Sequence, residues 1–302
     1  MTHIRLAENF RAIFYAPFYA THALGFYDRE GVDVELLSSS IPGDGASALL
    51  DGTLDITWGG PMRVIKAIEQ QATSPLSCFC TVVARDPFYL VGGNDSRDFQ
   101  LKDLPSLRFA AVAEVPTPWM CLQHDLRESG IDPTRLNRTP ERSMADNFEA
   151  LCSGQLDVVQ VFEPYASMAL RRGAGKILYA ASARGPTLYT TFIATRDSID
   201  LHRTAFVKMV RAIRRMQDWL VEHSAEELAE IVASFFPDVM PQMLVSSLRR
   251  YHHAGIWTCV PDVSRKGFWR LAESLLSGRF IARMPTYEAC VDQSLSNITG
   301  SG

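Results

Sequence analysis

Residues 48–57 read A-L-L-D-G-T-L-D-I-T, and residues 150–159 read A-L-C-S-G-Q-L-D-V-V. Ala, Leu, Gly, Leu and Asp recur in the same order. Each copy predicts the end of a helix, a glycine at the C′ position and then a strand. Gly52 and Gly154 suit that place because the left-handed conformation carries no Cβ penalty for glycine. Each copy then runs into proline, in G-G-P at 59–61 and F-E-P at 162–164. Proline in the first turn of a new helix gives up no hydrogen bond. The unit is therefore helix–Gly–strand–turn–helix, the building block of an α/β sheet. Two copies predict two similar α/β lobes with a small-molecule cleft between them.

The flanking sequence extends the pattern. Strands are expected at His3–Glu8, Val32–Leu37, Leu54–Trp58, Leu76–Val83 and Phe88–Val91, with helices over 14–26, 46–50 and 61–71. A second lobe is expected from residue 93, with strands at 108–112, 158–162 and 176–180, a loop over 113–118 opening a helix through Arg127, and helices over 143–151 and 164–172. The apolar run Leu188–Ala194 reads as a strand returning to the first lobe. Beyond Asp200 the apolar residues Phe206, Met209, Val210, Ile213, Met216 and Leu220 keep helical spacing. Further helices are expected over 225–235, 240–252 and 264–276, with no strand signal, packing back onto lobe one. The expected division is 1–92 and 188–302 for lobe one and 93–187 for lobe two. Two crossings between lobes form a hinge that permits closure.

Composition narrows the function. A net charge of −4 leaves no basic surplus to neutralise phosphates, which argues against nucleic acid as a partner. No run reaches the roughly 18 apolar residues of a transmembrane segment. The N-terminus M-T-H-I-R-L-A-E-N-F lacks a basic stretch followed by an apolar one and reads as strand one. A cytoplasmic location is expected if Met1 is native, and a periplasmic one if a leader has been removed. The six cysteines are dispersed apart from Cys78 and Cys80, whose spacing fits neither a metal nor a redox motif. They are expected to be reduced and mostly buried. The histidines show no metal spacing, so neither a metal nor a cofactor is expected.

Several stretches together carry a family resemblance: A-E-N-F at 7–10, F-Y-A-T-H-A-L-G-F-Y-D-R-E-G-V-D-V-E-L at 18–36, G-T-L-D-I at 52–56 and E-P-Y-A at 163–166. The chain resembles the periplasmic-binding-protein fold of type II. Within that fold it is similar to the nitrate/sulfonate/taurine solute-binding proteins and the thiamine pyrimidine synthases, over residues 3 to about 235. The resemblance implies two lobes on a two-strand hinge. It also implies a small-molecule ligand and, for a transporter component, an ABC permease as partner. Enzyme branches of the fold offer an alternative: a decarboxylase, desulfinase or pyrimidine synthase. The synthases carry a lysine and, four residues later, a histidine after the third strand; Gly59 and Arg63 stand there. Their iron motif on the returning strand is replaced by Y-T-T-F-I at 189–193. The desulfinases need a cysteine after strand one, where this chain has Arg11, Ala12 and Ile13. No catalytic residue is therefore assigned, and a solute-binding protein is the leading expectation.

In open α/β sheets, ligands bind beyond the carboxyl ends of the strands. Asn9 and Phe10 follow strand one, offering a donor–acceptor amide and a stacking ring. Gly43 and Asp44 open a helix whose N–H groups could receive an anion. Trp58, Gly59 and Gly60 follow strand three, where glycines admit a ligand to the backbone, and Arg63 could hold a carboxylate or sulfonate bidentately. Thr117 and Trp119 belong to the counterpart loop of lobe two. Glu163, at a helix start, could accept from ligand N–H groups. Phe88 and Tyr189 lie on the crossings. With Phe162 these rings predict a flat organic ligand, an aromatic carboxylate or sulfonate or a pyrimidine-like thiamine precursor.

Overall fold

The computed structural model describes residues 1–39, 44–93 and 99–295. β1 (Thr2–Ala7) runs parallel to β2 (Val32–Leu37) on one side and β3 (Ile56–Gly59) on the other. β9 (Thr190–Thr195) and β4 (Leu76–Val83) complete this sheet in the order β2-β1-β3-β9-β4. The second sheet has the order β6-β7-β5-β8, built from β5 (Tyr89–Gly92), β6 (Phe109–Ala110), β7 (Val158–Val161) and β8 (Lys176–Ala180). The helices α1 (Ala16–Ala23), α2 (Phe26–Arg29), α3 (Asp44–Leu50) and α4 (Met62–Gln70) belong to the first lobe. The second lobe carries α5 (Thr117–Glu128), α6 (Met144–Cys152) and α7 (Tyr165–Arg172). The chain ends in α8 (Arg196–Glu222), α9 (Ala225–Val232), α10 (Pro241–His253), α11 (Arg265–Ser277) and α12 (Tyr287–Cys290). The result is the expected pair of α/β lobes with a helical C-terminal segment.

The repeated phrase is built the same way twice. Gly52 and Gly154 both take left-handed backbone, with φ of 77° and 72°. The following strands each pair in parallel with a neighbour, β3 with β1 and β7 with β6, Leu6 opposite Ile56 and Phe109 opposite Val158. One residue before each pair stands an arginine. Arg5 donates from its main-chain N, Nε and Nη2 to the Asp55 carboxylate at 2.8, 3.1 and 2.7 Å, and from Nη2 to the Gly52 carbonyl at 3.0 Å. Arg108 does the same to Asp157 at 2.7, 2.9 and 2.6 Å and to the Gly154 carbonyl at 2.9 Å. The recurring Asp is thus the acceptor of a clamp that fixes each helix–strand turn to the neighbouring strand.

Three expectations need correction. The helix expected over 14–26 is broken: Ile13–Tyr15 is a 3₁₀ turn, α1 starts behind it, and Gly25 turns left-handed at φ 66° before α2. Pro17 explains the later start, because it fits only the first turn of a helix. β5, left at the margin of lobe one, pairs within the second sheet between β7 and β8. The C-terminal helices pack against both lobes. α10 contacts the Ile13–Tyr15 turn and α7, while α11 contacts α4 and α5.

The lobes are joined by two segments bonded to each other. Thr187 and Tyr189 donate to the carbonyls of Ala84 and Val83 at 2.8 and 3.1 Å, and Ala181 donates to Phe88 at 3.0 Å. Arg184 lies buried in this crossing. Its Nη1 donates to Asp86 at 2.5 Å, and its Nε donates to Asp125 of α5 at 2.9 Å, with Nη2 on the same carboxylate. Tyr179 completes the cluster at 2.8 Å from Asp125. Burial raises the Asp86 carboxyl above its usual range, although Arg184 and the Phe88 amide pull it down. Four of the cysteines are buried, but Cys259 is exposed and Cys152 half-buried, and all are free thiols.

Candidate functional site

The carboxyl ends of β1, β3 and β6 converge on one cavity between the lobes. It holds about 380 Å³ of unoccupied space, counting its mouth. The β1 loop supplies Asn9, Phe10, Phe14 and Tyr15, and the β3 turn supplies Gly60, Met62 and Arg63. Phe88 and Tyr189 come from the crossings, and Val115, Pro116 and Thr117 from lobe two. Gly60 lies where the lobes meet. A Cβ there would stand 3.8 Å from Thr117 Oγ1 and 3.9 Å from the Tyr189 carbonyl. The cavity therefore draws on both lobes and on the crossings between them.

Arg63 is the only charged residue lining the cavity among the described residues. Arg63 stands in the first turn of α4, and Thr117 opens α5. Both helices begin after a proline, Pro61 and Pro116, and neither has a side chain capping its first turn. Two helix N-termini with their positive dipole ends thus meet one guanidinium. The Asn9 amide reaches the Tyr15 hydroxyl at 3.5 Å. Burial pushes the Tyr15 and Tyr189 phenols well above their usual range, which keeps both neutral. The Tyr189 hydroxyl is buried without a hydrogen-bond partner among the described residues. The aromatic residues Phe10, Phe14, Tyr15, Phe88 and Tyr189 belong to the cavity wall. Such a site offers donors, positive charge and ring faces.

Of the residues expected at the site, Asn9, Phe10, Gly60, Arg63, Phe88, Thr117 and Tyr189 line this cavity. Others lie elsewhere. Trp58 is fully buried in the layer behind, stacked on Phe18 with centroids 4.6 Å apart. Strand alternation turns its side chain away from the neighbouring residues. Gly59 supports the site from behind, since a Cβ there would stand 3.6 Å from the Asn9 side chain. Trp119 packs against Phe109 and beneath Arg138 within lobe two. Glu163 is buried outside the cavity, where its carboxylate accepts from Arg250 Nε at 2.6 Å, the Ser167 amide at 2.9 Å and Ser247 Oγ at 3.3 Å. Gly43 lies outside the described residues, and Asp44 is described only as the first residue of α3. Phe14, Tyr15, Met62, Val115 and Pro116 were not expected. Pro17 is the signal that could have released Phe14 and Tyr15 from the helix and turned them toward the cleft.

Comparison with known proteins gives the family and the fold. Residues 13–227 match the family model described as NMT1/THI5 like. YtlA of Bacillus subtilis (strain 168), named as a candidate binding protein, is 27% identical over 98% of this chain and 89% of its own. The periplasmic aliphatic sulphonate binding protein SsuA from Escherichia coli superposes with a TM-score of 0.76, at 15% identity, over 98% of this chain and 99% of its own. The ligand-binding component of an ABC-type import system from Staphylococcus aureus, solved with zinc bound, gives 0.74 at 16% identity over 99% of both chains. The chain belongs to the NMT1/THI5-like family, and its fold is that of the periplasmic binding proteins. Among the described residues, no helix is long and apolar enough to cross a membrane.

Proposed function

We propose that this NMT1/THI5-like protein is the solute-binding component of an ABC-type importer and that it captures a small aromatic carboxylate or sulfonate in the interlobe cavity. One observation carries the ligand class: Arg63 and the uncapped starts of α4 and α5 meet in a cavity walled by aromatic rings. A guanidinium and two helix N-termini favour an anion, and the rings favour a flat organic body. A pyrimidine amine would want a carboxylate acceptor, and Glu163, the expected one, is engaged by Arg250 outside the cavity. The names of YtlA, SsuA and the S. aureus component support binding and import as the role.

An importer needs an ABC permease as partner, and the two lobes would close on the ligand before docking. We place the lobe boundaries in the crossings at 84–88 and 181–189, because β5 pairs with the second sheet. Thermal melts with benzoate, benzenesulfonate and 4-aminopyrimidine test the ligand class. Ligand at a hundredfold excess over its Kd stabilises by about 2.7 kcal/mol, so the two anions raise the melting temperature and the neutral pyrimidine leaves it unchanged. A shift with the pyrimidine alone would overturn the reading.

A further inference from the structure

A second cavity lies directly behind the first. It holds about 440 Å³, counting its mouth, and its walls include Ala12, Ile13, Phe162, Pro164, Phe235 and Val239. The two cavities share the loop after β1. Phe10, Phe14 and Tyr15 line the first, and Arg11, Ala12 and Ile13 line the second. The partition is aromatic: the Phe162 ring, which lines the second cavity, stands 6.2 Å from Phe10, 5.6 Å from Phe14 and 5.3 Å from Phe88. Those three residues line the first cavity, so a layer of packed rings, half-buried Phe162 against Phe10, Phe14 and Phe88, stands between the two spaces.

Two charged groups at the second cavity, Arg11 and Glu163, are already engaged. Arg11 donates to Glu8 at 2.8 and 2.9 Å, to the Phe235 carbonyl at 2.6 Å and to Ser38 at 3.2 Å. Glu163 is held by Arg250, Ser167 and Ser247. Exposed Asp238 on the rim adds negative charge. This space therefore suits an apolar group and repels a second anionic one.

We infer that the second cavity is an annex for the apolar end of the same ligand, and that Phe162 sets how long that end is. The inference rests on the anion reading of the first cavity. The ligand is then an amphiphilic monoanion, with its charged group at Arg63 and an alkyl or aryl tail directed past Phe162.

Isothermal titration of benzenesulfonate and 4-butylbenzenesulfonate tests this, with the ratio of their affinities as the readout. Burying one methylene is worth roughly fourfold in affinity, so the butyl compound should bind the wild type at least about tenfold more tightly. Phe162→Ala opens the partition and should raise the ratio. Val239→Trp fills the annex and should bring the ratio toward one. Should Val239→Trp fail to fold, Phe162→Ala decides alone. The same ratio in wild type and Phe162→Ala would place the tail elsewhere and overturn the inference. Benzenesulfonate binding with no gain for the butyl compound would overturn the annex and leave the anion site standing. Failure of both compounds to bind would overturn the anion reading and the annex together.

Discussion

The two arginine–aspartate clamps offer a test with an internal control. Asp55 and Asp157 accept the same three bonds from Arg5 and Arg108, but their side chains are 12% and 33% exposed. Asp55→Asn and Asp157→Asn keep the shape, keep one acceptor oxygen and remove the charge. Bonds to a charged group contribute roughly 1.5–3 kcal/mol each in net terms, and an Asn retains part of the set. For the shielded Asp55 we expect a loss of about 2 kcal/mol, or roughly 30-fold in local opening. At Asp157, where water reaches both partners, the loss should be about 1 kcal/mol or less, as for exposed pairs. Hydrogen exchange read at β3 and at β7 is the suitable assay, because the lobes can open separately. The pH dependence follows from the signs. Burial raises the Asp55 carboxyl, but the Arg5 bonds, with His202 flanking it, more than reverse this and hold it below its ordinary value. The Arg108 bonds lower Asp157. A depressed folded value gives stability that is present above the unfolded value and lost as pH falls through the folded one. Both penalties should therefore be full at pH 6 and shrink below about 3.8, the ordinary aspartate value. Equal losses at the two sites, a larger loss for Asp157→Asn, or penalties unchanged at pH 3 would refute the reasoning.

Other consequences follow from the same geometry. Arg184→Met leaves Asp86 and Asp125 buried without their cation and should cost about 3–5 kcal/mol in urea unfolding; a loss below 1 kcal/mol would show that the crossing does not depend on the triad. Arg63→Gln should weaken benzenesulfonate binding by about 10- to 100-fold, the worth of a charge-assisted contact; an unchanged affinity would remove Arg63 from the site. Gly60→Leu should fill the space between the β3 turn and Thr117 and abolish binding while the fold persists, which circular dichroism and titration together would check. A thiol reagent should label Cys259 at once and Cys152 more slowly in the native protein, with Cys78, Cys80, Cys121 and Cys290 reacting only on unfolding; rapid labelling of Cys80 would contradict the packing of β4.

Much of the architecture is legible because it repeats. A glycine after a helix and a proline after a strand have local causes, so Gly52, Gly154 and the turns at 59–61 and 162–164 can be read without tertiary knowledge. The lining of the candidate cavity is legible where strand ends decide it, as at Asn9, Gly60, Arg63 and Thr117. It is illegible where a side chain's direction depends on packing. Trp58 is one residue from the turn, yet alternation sends it into the core against Phe18. Glu163 stands at the equivalent turn of lobe two, but Arg250, far along the chain on α10, claims its carboxylate. Nothing local to F-E-P announces that partner. The Arg5–Asp55 and Arg108–Asp157 clamps lay in plain sight as matched arginines preceding matched strands, and only strand register reveals them.

The central claim is that the interlobe cavity holds an aromatic monoanion at Arg63. A crystal structure of the protein with benzenesulfonate tests it most directly. The account predicts the sulfonate within hydrogen-bond distance of Arg63 and the first turn of α5 at Thr117, with the ring against Phe10 and Phe88. Benzenesulfonate bound elsewhere, or a cavity left without it at saturating concentration, would contradict the account.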